Sequence, residues 1–242
     1  MNTKKLLFYS TVSSSLLVTA LANNISSGDF ETGFTTGWTK HSGEFSSNGT
    51  DTRTQTYYSN ISYNSASSIV QSGFDSITGV NMVFSGGYAY RLGNSTASDH
   101  WYSIYQSFVS DNSLQFAFSP ILENGGLGWA SDPMFYINVY DQTTSEEIYY
   151  HEVLATDLAN TVSASNFHYS GWNYVNLNTS ARNGHTLRII ANVTGSAQGN
   201  YAGYAYLDAF STSSTIPEPS TYGLIGIGAL AVAVVSRRRK KA

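Results

Sequence analysis

From residue 24 to residue 210 the chain alternates short apolar and polar stretches, interrupted by clusters of Gly, Asn, Asp and Ser. A period of two places successive side chains on opposite faces of a strand, and the longer recurrence of an amphipathic helix is hard to find. The pattern predicts strands at 82–90, 101–109, 114–118, 134–140, 147–153, 174–178, 187–193 and 204–210. Within 187–193, Leu187, Ile189, Ala191 and Val193 share one face, while Arg188 and Asn192 lie on the other, so one face is buried. By the same rule Tyr149 and Tyr150 cannot both point inward. Eight or nine such strands without crossover helices predict an all-β, two-sheet antiparallel β-sandwich, with a jelly roll as the leading topology. Segment 155–170 reads either as one short helix or as a long loop, and Asn183-Gly184 marks a tight turn.

Composition agrees with strands. The 242 residues suit one sizeable core, and eighteen Tyr with abundant Thr and Ser favour a pleated, half-buried surface. Charged residues make up only 12%, against roughly 25% in an average soluble domain. Between residues 23 and 215 five cations (Lys40, Arg53, Arg91, Arg182, Arg188) face fifteen carboxylates, a net charge of −10. Such a domain makes a poor nucleic-acid binder, because phosphate neutralisation needs a basic patch. Divalent cations and neutral sugars suit it better. No cysteine is present, which excludes disulfides and thiolate metal sites but not export.

The other seven cations sit at the chain ends. Lys4 and Lys5 precede an apolar stretch at 6–21 that closes on Ala20-Leu21-Ala22, the layout of a signal peptide cleaved by signal peptidase after Ala22. Near the other end, Pro217-Glu218-Pro219 leads into thirteen apolar residues at 223–235 and then Arg237, Arg238, Arg239, Lys240 and Lys241. As a helix that run spans roughly 20 Å, short of a hydrocarbon core of about 30 Å, so it needs its flanks to cross. The cationic cluster acts as a membrane stop held on the cytoplasmic side. The expected organisation is a signal peptide at 1–22, an ectodomain at 23–212, a linker with the sorting motif at 213–222, a transmembrane helix at 223–236 and a basic tail at 237–242.

This three-part tail resembles the PEP-CTERM sorting signal of Gram-negative bacteria. The resemblance implies recognition by exosortase, a membrane-embedded transpeptidase-like protease, transient membrane anchoring, and delivery to the cell surface or matrix. Carriers of the signal accompany exopolysaccharide and biofilm production.

Two segments of the ectodomain resemble carbohydrate-binding modules of the galactose-binding-like jelly-roll type. They are Gly28-Asp29-Phe30-Glu31-Thr32-Gly33 followed by Gly37-Trp38, and Gly203-Tyr204-Ala205-Tyr206-Leu207-Asp208. The family places a structural calcium beside its first and last strands, and the resemblance implies Asp29, Glu31 and Asp208 as ligands. In the family's closing strand a second acidic residue or Asn often follows the Asp, where this chain has Ala209. Sugar binding needs exposed rings to stack on pyranose faces, which makes Trp101 and Trp129 the candidates, with Trp38 and Trp172 assigned to the core.

Catalytic signatures are weak. His151-Glu152 opens like a zinc-protease motif, but Ala155 replaces the second His. No Gly-x-Ser-x-Gly elbow occurs, and the five histidines lack ligand spacing. The expectation is a non-enzymatic envelope or matrix protein that binds extracellular polysaccharide. A purely structural or adhesive module is the alternative, and a secreted glycan hydrolase ranks behind both.

Overall fold

The computed structural model describes residues 25–33, 35–44, 67–93, 95–96, 100–126, 132–196 and 201–212. Twelve strands follow in chain order: β1 (Thr39–Glu44), β2 (Ser68–Gln71), β3 (Tyr88–Gly93), β4 (His100–Val109), β5 (Ser113–Glu123), β6 (Met134–Asp141), β7 (Glu146–Leu154), β8 (Asn160–Val162), β9 (Phe167–Tyr169), β10 (Asn173–Asn178), β11 (Thr186–Thr194) and β12 (Gly203–Ser211). They form a five-stranded sheet of order β1-β4-β11-β6-β7 and a seven-stranded sheet of order β2-β3-β12-β5-β9-β8, with β10 also on β5. Every pairing is antiparallel. The chain is a two-sheet β-sandwich.

The main core lies between the sheets and follows the alternation read from the sequence. Leu187, Ile189, Ala191 and Val193 point into it, with Tyr102, Ile104 and Phe108 from β4 and Phe135, Ile137 and Val139 from β6. Phe116, Phe118, Ala205, Leu207 and Phe210 face them from the larger sheet. Tyr149 packs edge-on against Phe116 at 5.5 Å, while Tyr150 stays 48% exposed. Trp38 joins this core as expected, 5.0 Å from the Phe210 ring.

Several local expectations are revised. The strand expected at 114–118 runs on to Glu123, through Pro120. Proline is tolerated there because one flank of β5 is shared by two short partners: β10 ends its pairing at Phe118 and β9 begins at Ile121. Segment 155–170 holds one 3-10 turn at Ala155–Asp157 and the strands β8 and β9. Asn183-Gly184 makes a turn with Gly184 at φ 82, but β10 and β11 belong to different sheets, so the turn crosses between layers. Residues 82–87, read as the start of a strand, lie outside β3.

That misread stretch belongs to an excursion, residues 72–87, folded over the outer face of the larger sheet. Ile77 and Met82 pack there on Tyr204, Tyr206, Ile121 and Phe167, a second and smaller core. Trp172 packs beside them, half-buried, its indole N–H donating to the Asn81 carbonyl at 2.8 Å; it is absent from the main core. Buried Asp75 ties the excursion down. Its Oδ2 accepts the hydroxyls of Tyr204 at 3.0 Å and Tyr206 at 2.7 Å, and its Oδ1 accepts the Ile77 and Thr78 amides and the Thr78 hydroxyl. Burial pushes the Asp75 carboxyl up, but these donors outweigh it and hold it below the usual range. Burial and the neighbouring Asp75 charge raise both tyrosine pKa values.

Asp75→Ala strands two buried hydroxyls, each costing about 1–3 kcal/mol when unsatisfied. Denaturant unfolding should show a loss of roughly 3 kcal/mol. A variant within about 0.5 kcal/mol of the parent would show that the anchor is dispensable.

Candidate functional site

With the larger sheet covered, the outer face of the five-stranded sheet is the counterpart left to inspect, and its register orders the outward side chains into rows. One row runs Gly43, Trp101, Thr194, Met134, Leu154; the next runs His41, Ser103, Asn192, Tyr136, Glu152. The third is Thr39, Tyr105, Ile190, Asn138, Tyr150, and the fourth Ser107, Arg188, Tyr140, Glu147. A bulge at Ile148 brings Glu147 opposite Tyr140, so both ends of β7 keep their polar residues on this face.

A cavity of about 340 Å³ opens on these rows, lined by His41, Trp101, Ser103, Tyr105, Tyr136, Arg188 and Ile190. The rings support one another. His41 stacks on Tyr105 at 5.5 Å and 6°, and Tyr136 lies 6.0 Å from Tyr150. Trp101 is only 5% exposed because its indole spreads over the neighbouring strand at Gly43, where a Cβ would sit 2.5 Å from its Nε1. Between Ser103 and Tyr136 in the second row, Asn192 is 1% exposed, and neither its amide nitrogen nor its oxygen has a partner among the described residues. Buried amides are normally bonded, which sets Asn192 apart from the other polar side chains of this row. On the β7 rim, Tyr150 donates to Glu152 and Asn138 donates to Glu147.

A second cavity, of about 300 Å³, lies at the end of the other sheet, and its lining includes Asp29, Glu31, Asp208, Phe84, Tyr174 and Gln115. Phe84 and Tyr174 are exposed and stack at 5.7 Å and 9°. The carboxylates bind backbone: Glu31 accepts the Gly87 amide at 2.8 Å and the Tyr88 amide at 3.1 Å. Asp208 Oδ2 accepts the Phe84 and Ser85 amides, both at 2.9 Å, and Oδ1 accepts the Ala209 amide at 2.6 Å. Asp29 turns the chain, accepting the Glu31 amide at 3.3 Å. Burial pushes the Asp208 carboxyl up to about 6; the Ser85, Ala209 and Phe84 amides pull it down and the Glu31 charge adds to the rise. Among the described residues no three His, Asp or Glu side chains converge as a metal cluster.

The family model described as the PEP-CTERM protein-sorting motif matches residues 215–240, starting four positions after the end of β12. The chain carries a PEP-CTERM sorting signal. The signal marks an exported protein that is anchored transiently in a membrane and processed by exosortase. No curated protein matches the chain. Among solved structures its backbone is similar to TmCBM61 in complex with beta-1,4-galactotriose, at TM-score 0.44 and 13% identity over 78% of this chain and 97% of that one. It is similar also to Caldicellulosiruptor saccharolyticus CBM27-1 in complex with mannohexaose, at 0.40 and 14% over 76% and 93%. A Stig cyclase, Fisc from Fischerella sp. TAU, matches at 0.38 and 13% over 78% and 97%. These likenesses concern the backbone and transfer no ligand to this PEP-CTERM chain.

Of the site residues read from the sequence, Trp101 does line the first cavity, but as a nearly buried wall and not as an exposed ring. Asp29, Glu31 and Asp208 all line the second cavity, each bonded to backbone amides, without converging into a cluster. Trp129, Pro217, Glu218, Pro219 and the cluster Arg237, Arg238, Arg239, Lys240 and Lys241 lie outside the described residues, as do 6–21 and 223–235. No described helix is long and apolar enough to cross a membrane. Sequence reasoning missed His41, Tyr105, Tyr136 and Arg188, which come from four different strands. The alternation of Trp101, Ser103 and Tyr105 was the available signal, but their neighbours depend on register.

The acidity of two carboxyls makes a signed prediction. Asp208 takes up a proton near pH 6 in the folded chain and near about 4 when unfolded. Its contribution to stability is therefore fully present below about pH 4 and is lost as the pH rises through 6. Asp141 behaves oppositely: burial pushes it up, but His185 at 2.8 Å and the Thr143 and Thr144 amides hold it down at about 2. Its contribution is present above about pH 4 and is lost as the pH falls toward 2. The melting temperature of the parent minus that of Asp208→Asn should therefore fall as the pH rises from about 4 to about 7, because only the parent must ionise a buried carboxyl. A difference that stays flat, or shifts in the parent's favour as the pH rises, would contradict the assignment.

Proposed function

We propose that this is an exosortase-processed surface or matrix protein whose sandwich binds extracellular polysaccharide, without catalysis, through the cavity on the five-stranded sheet. The observation that carries the proposal is the cavity itself: four rings, His41, Trp101, Tyr105 and Tyr136, wall a volume in the range of small-ligand sites, with Ser103 and Arg188 as polar groups in the same lining. Apolar pyranose faces stack on such rings, and sugar hydroxyls pair with the Ser103 hydroxyl and the Arg188 guanidinium of the same lining. The sorting signal supports an extracytoplasmic setting for this surface, where polysaccharide would be within reach.

Affinity electrophoresis of the full-length chain through gels containing the producer's own exopolysaccharide tests this. Retardation is expected, with Tyr105→Ala and Tyr136→Ala each weakening it roughly tenfold. Gly43→Ala should weaken it too, by displacing Trp101. Unretarded migration in every polysaccharide tried would favour the adhesive reading, and release of reducing ends would favour the hydrolase.

Calcium is the second part of the proposal. Asp29, Glu31 and Asp208 offer hard oxygens of the kind calcium takes, and each carboxylate has more lone pairs than the amides use. A bound ion would cancel the repulsion between Glu31 and Asp208 and tie β12 to the excursion. Millimolar calcium should raise the melting temperature and EDTA should lower it; insensitivity to both would remove the metal from the account.

A further inference from the structure

Resting on the glycan reading of the same cavity, we infer that its ligand is an anionic polysaccharide, recognised by Arg188 through a carboxylate such as that of a uronic acid.

The argument starts from charge. The ectodomain carries −10, yet the residues lining this cavity include a guanidinium and a histidine and no carboxylate. Arg182, by contrast, is committed to acids: its guanidinium lies 3.3 Å from Asp141 and 2.8 Å from Glu146. Arg188 meets none among the described residues. Its Nε donates to the Ser107 hydroxyl at 3.3 Å, and its Cζ lies 5.1 Å from the centre of the Tyr105 ring. Those contacts position the head, and neither terminal amino group has a partner among the described residues.

The direction of the side chain is informative. Glu147 stands in the same row, on the far side of Tyr140, yet Arg188 leans the other way, onto Ser107 and Tyr105 of β4. Glu147 is engaged by Asn138, and Glu152 by Tyr150. In a domain this rich in carboxylates, a half-buried arginine held away from them is poised for an external acid. A planar guanidinium presenting its terminal N–H groups matches a carboxylate bidentately, which a neutral sugar cannot reproduce. The rings beside it would take the sugar's apolar face, so charge and stacking act on adjacent parts of one residue of the polymer.

The test compares uronate polymers, namely alginate, polygalacturonate and hyaluronate, each beside its carboxyl-reduced neutral counterpart, using the full-length chain in detergent. At least one uronate polymer should bind, its reduced form about tenfold more weakly, as expected for loss of one charge-assisted pair. Arg188→Gln should erase that difference while the melting temperature holds, Arg188→Lys should restore part of it, and added salt should weaken only the charged polymer. Equal or tighter binding of the reduced polymers overturns the inference and leaves the glycan reading standing. Absence of binding to charged and neutral polysaccharides alike overturns both. The comparison of polymers needs no variant, so a misfolded Arg188→Gln would not spare the inference.

Discussion

Asp75 accepts two tyrosine hydroxyls from β12 with one oxygen and closes a turn of the 72–87 excursion with the other. A two-sheet sandwich has two outward faces, and a chain without disulfides must decide by packing alone which one to cover. The excursion, fastened at Asp75 and again where Asp208 and Glu31 accept amides of residues 84–88, covers the larger sheet. Its apolar residues finish a second core there. The five-stranded sheet keeps its outward rows for other uses, and those rows hold the ring-lined cavity.

The distribution of charge follows the same division. Carboxylates in the interior and at the sheet ends serve the fold, each surrounded by amides, hydroxyls or cations: Asp75, Asp141 and Asp208 are all buried and all bonded. The outer face of the five-stranded sheet keeps its acids on the β7 rim and its arginine over a ring on β4. This segregation gives an acidic domain a locally cationic, aromatic floor. The same electrostatics make the two cavities chemical opposites, one walled by rings and a guanidinium, the other by three carboxylates.

The fold class was legible because burial enforces alternation, and alternation is local. Leu187 to Val193 and the pair Tyr149 and Tyr150 could be oriented from their spacing alone. The sorting signal was legible for a different reason, since its parts are contiguous and their order carries the meaning. What stayed hidden depends on contacts distant in sequence. Met82, Val83 and Phe84 make residues 82–87 look like strand, yet the segment serves as a cover, held by a carboxylate more than a hundred positions away. Trp172 reads as core from its ring but packs on the outside of a sheet. His41, Tyr105, Tyr136 and Arg188 become neighbours only through the register of four strands, and no single strand announces that register. The three acidic residues were found by family resemblance, and the structure gives them a backbone-anchoring task that the resemblance did not contain.

The central claim is that glycan meets the outer face of the five-stranded sheet. Amide hydrogen exchange of the full-length chain, with and without saturating exopolysaccharide from its producer, tests it directly. Slowed exchange should appear along β4, β11 and β6, where they pass beneath Tyr105, Arg188 and Tyr136. Protection confined to residues 84–88 and 172–178, around the acidic cavity, would place the ligand on the wrong face and contradict the account.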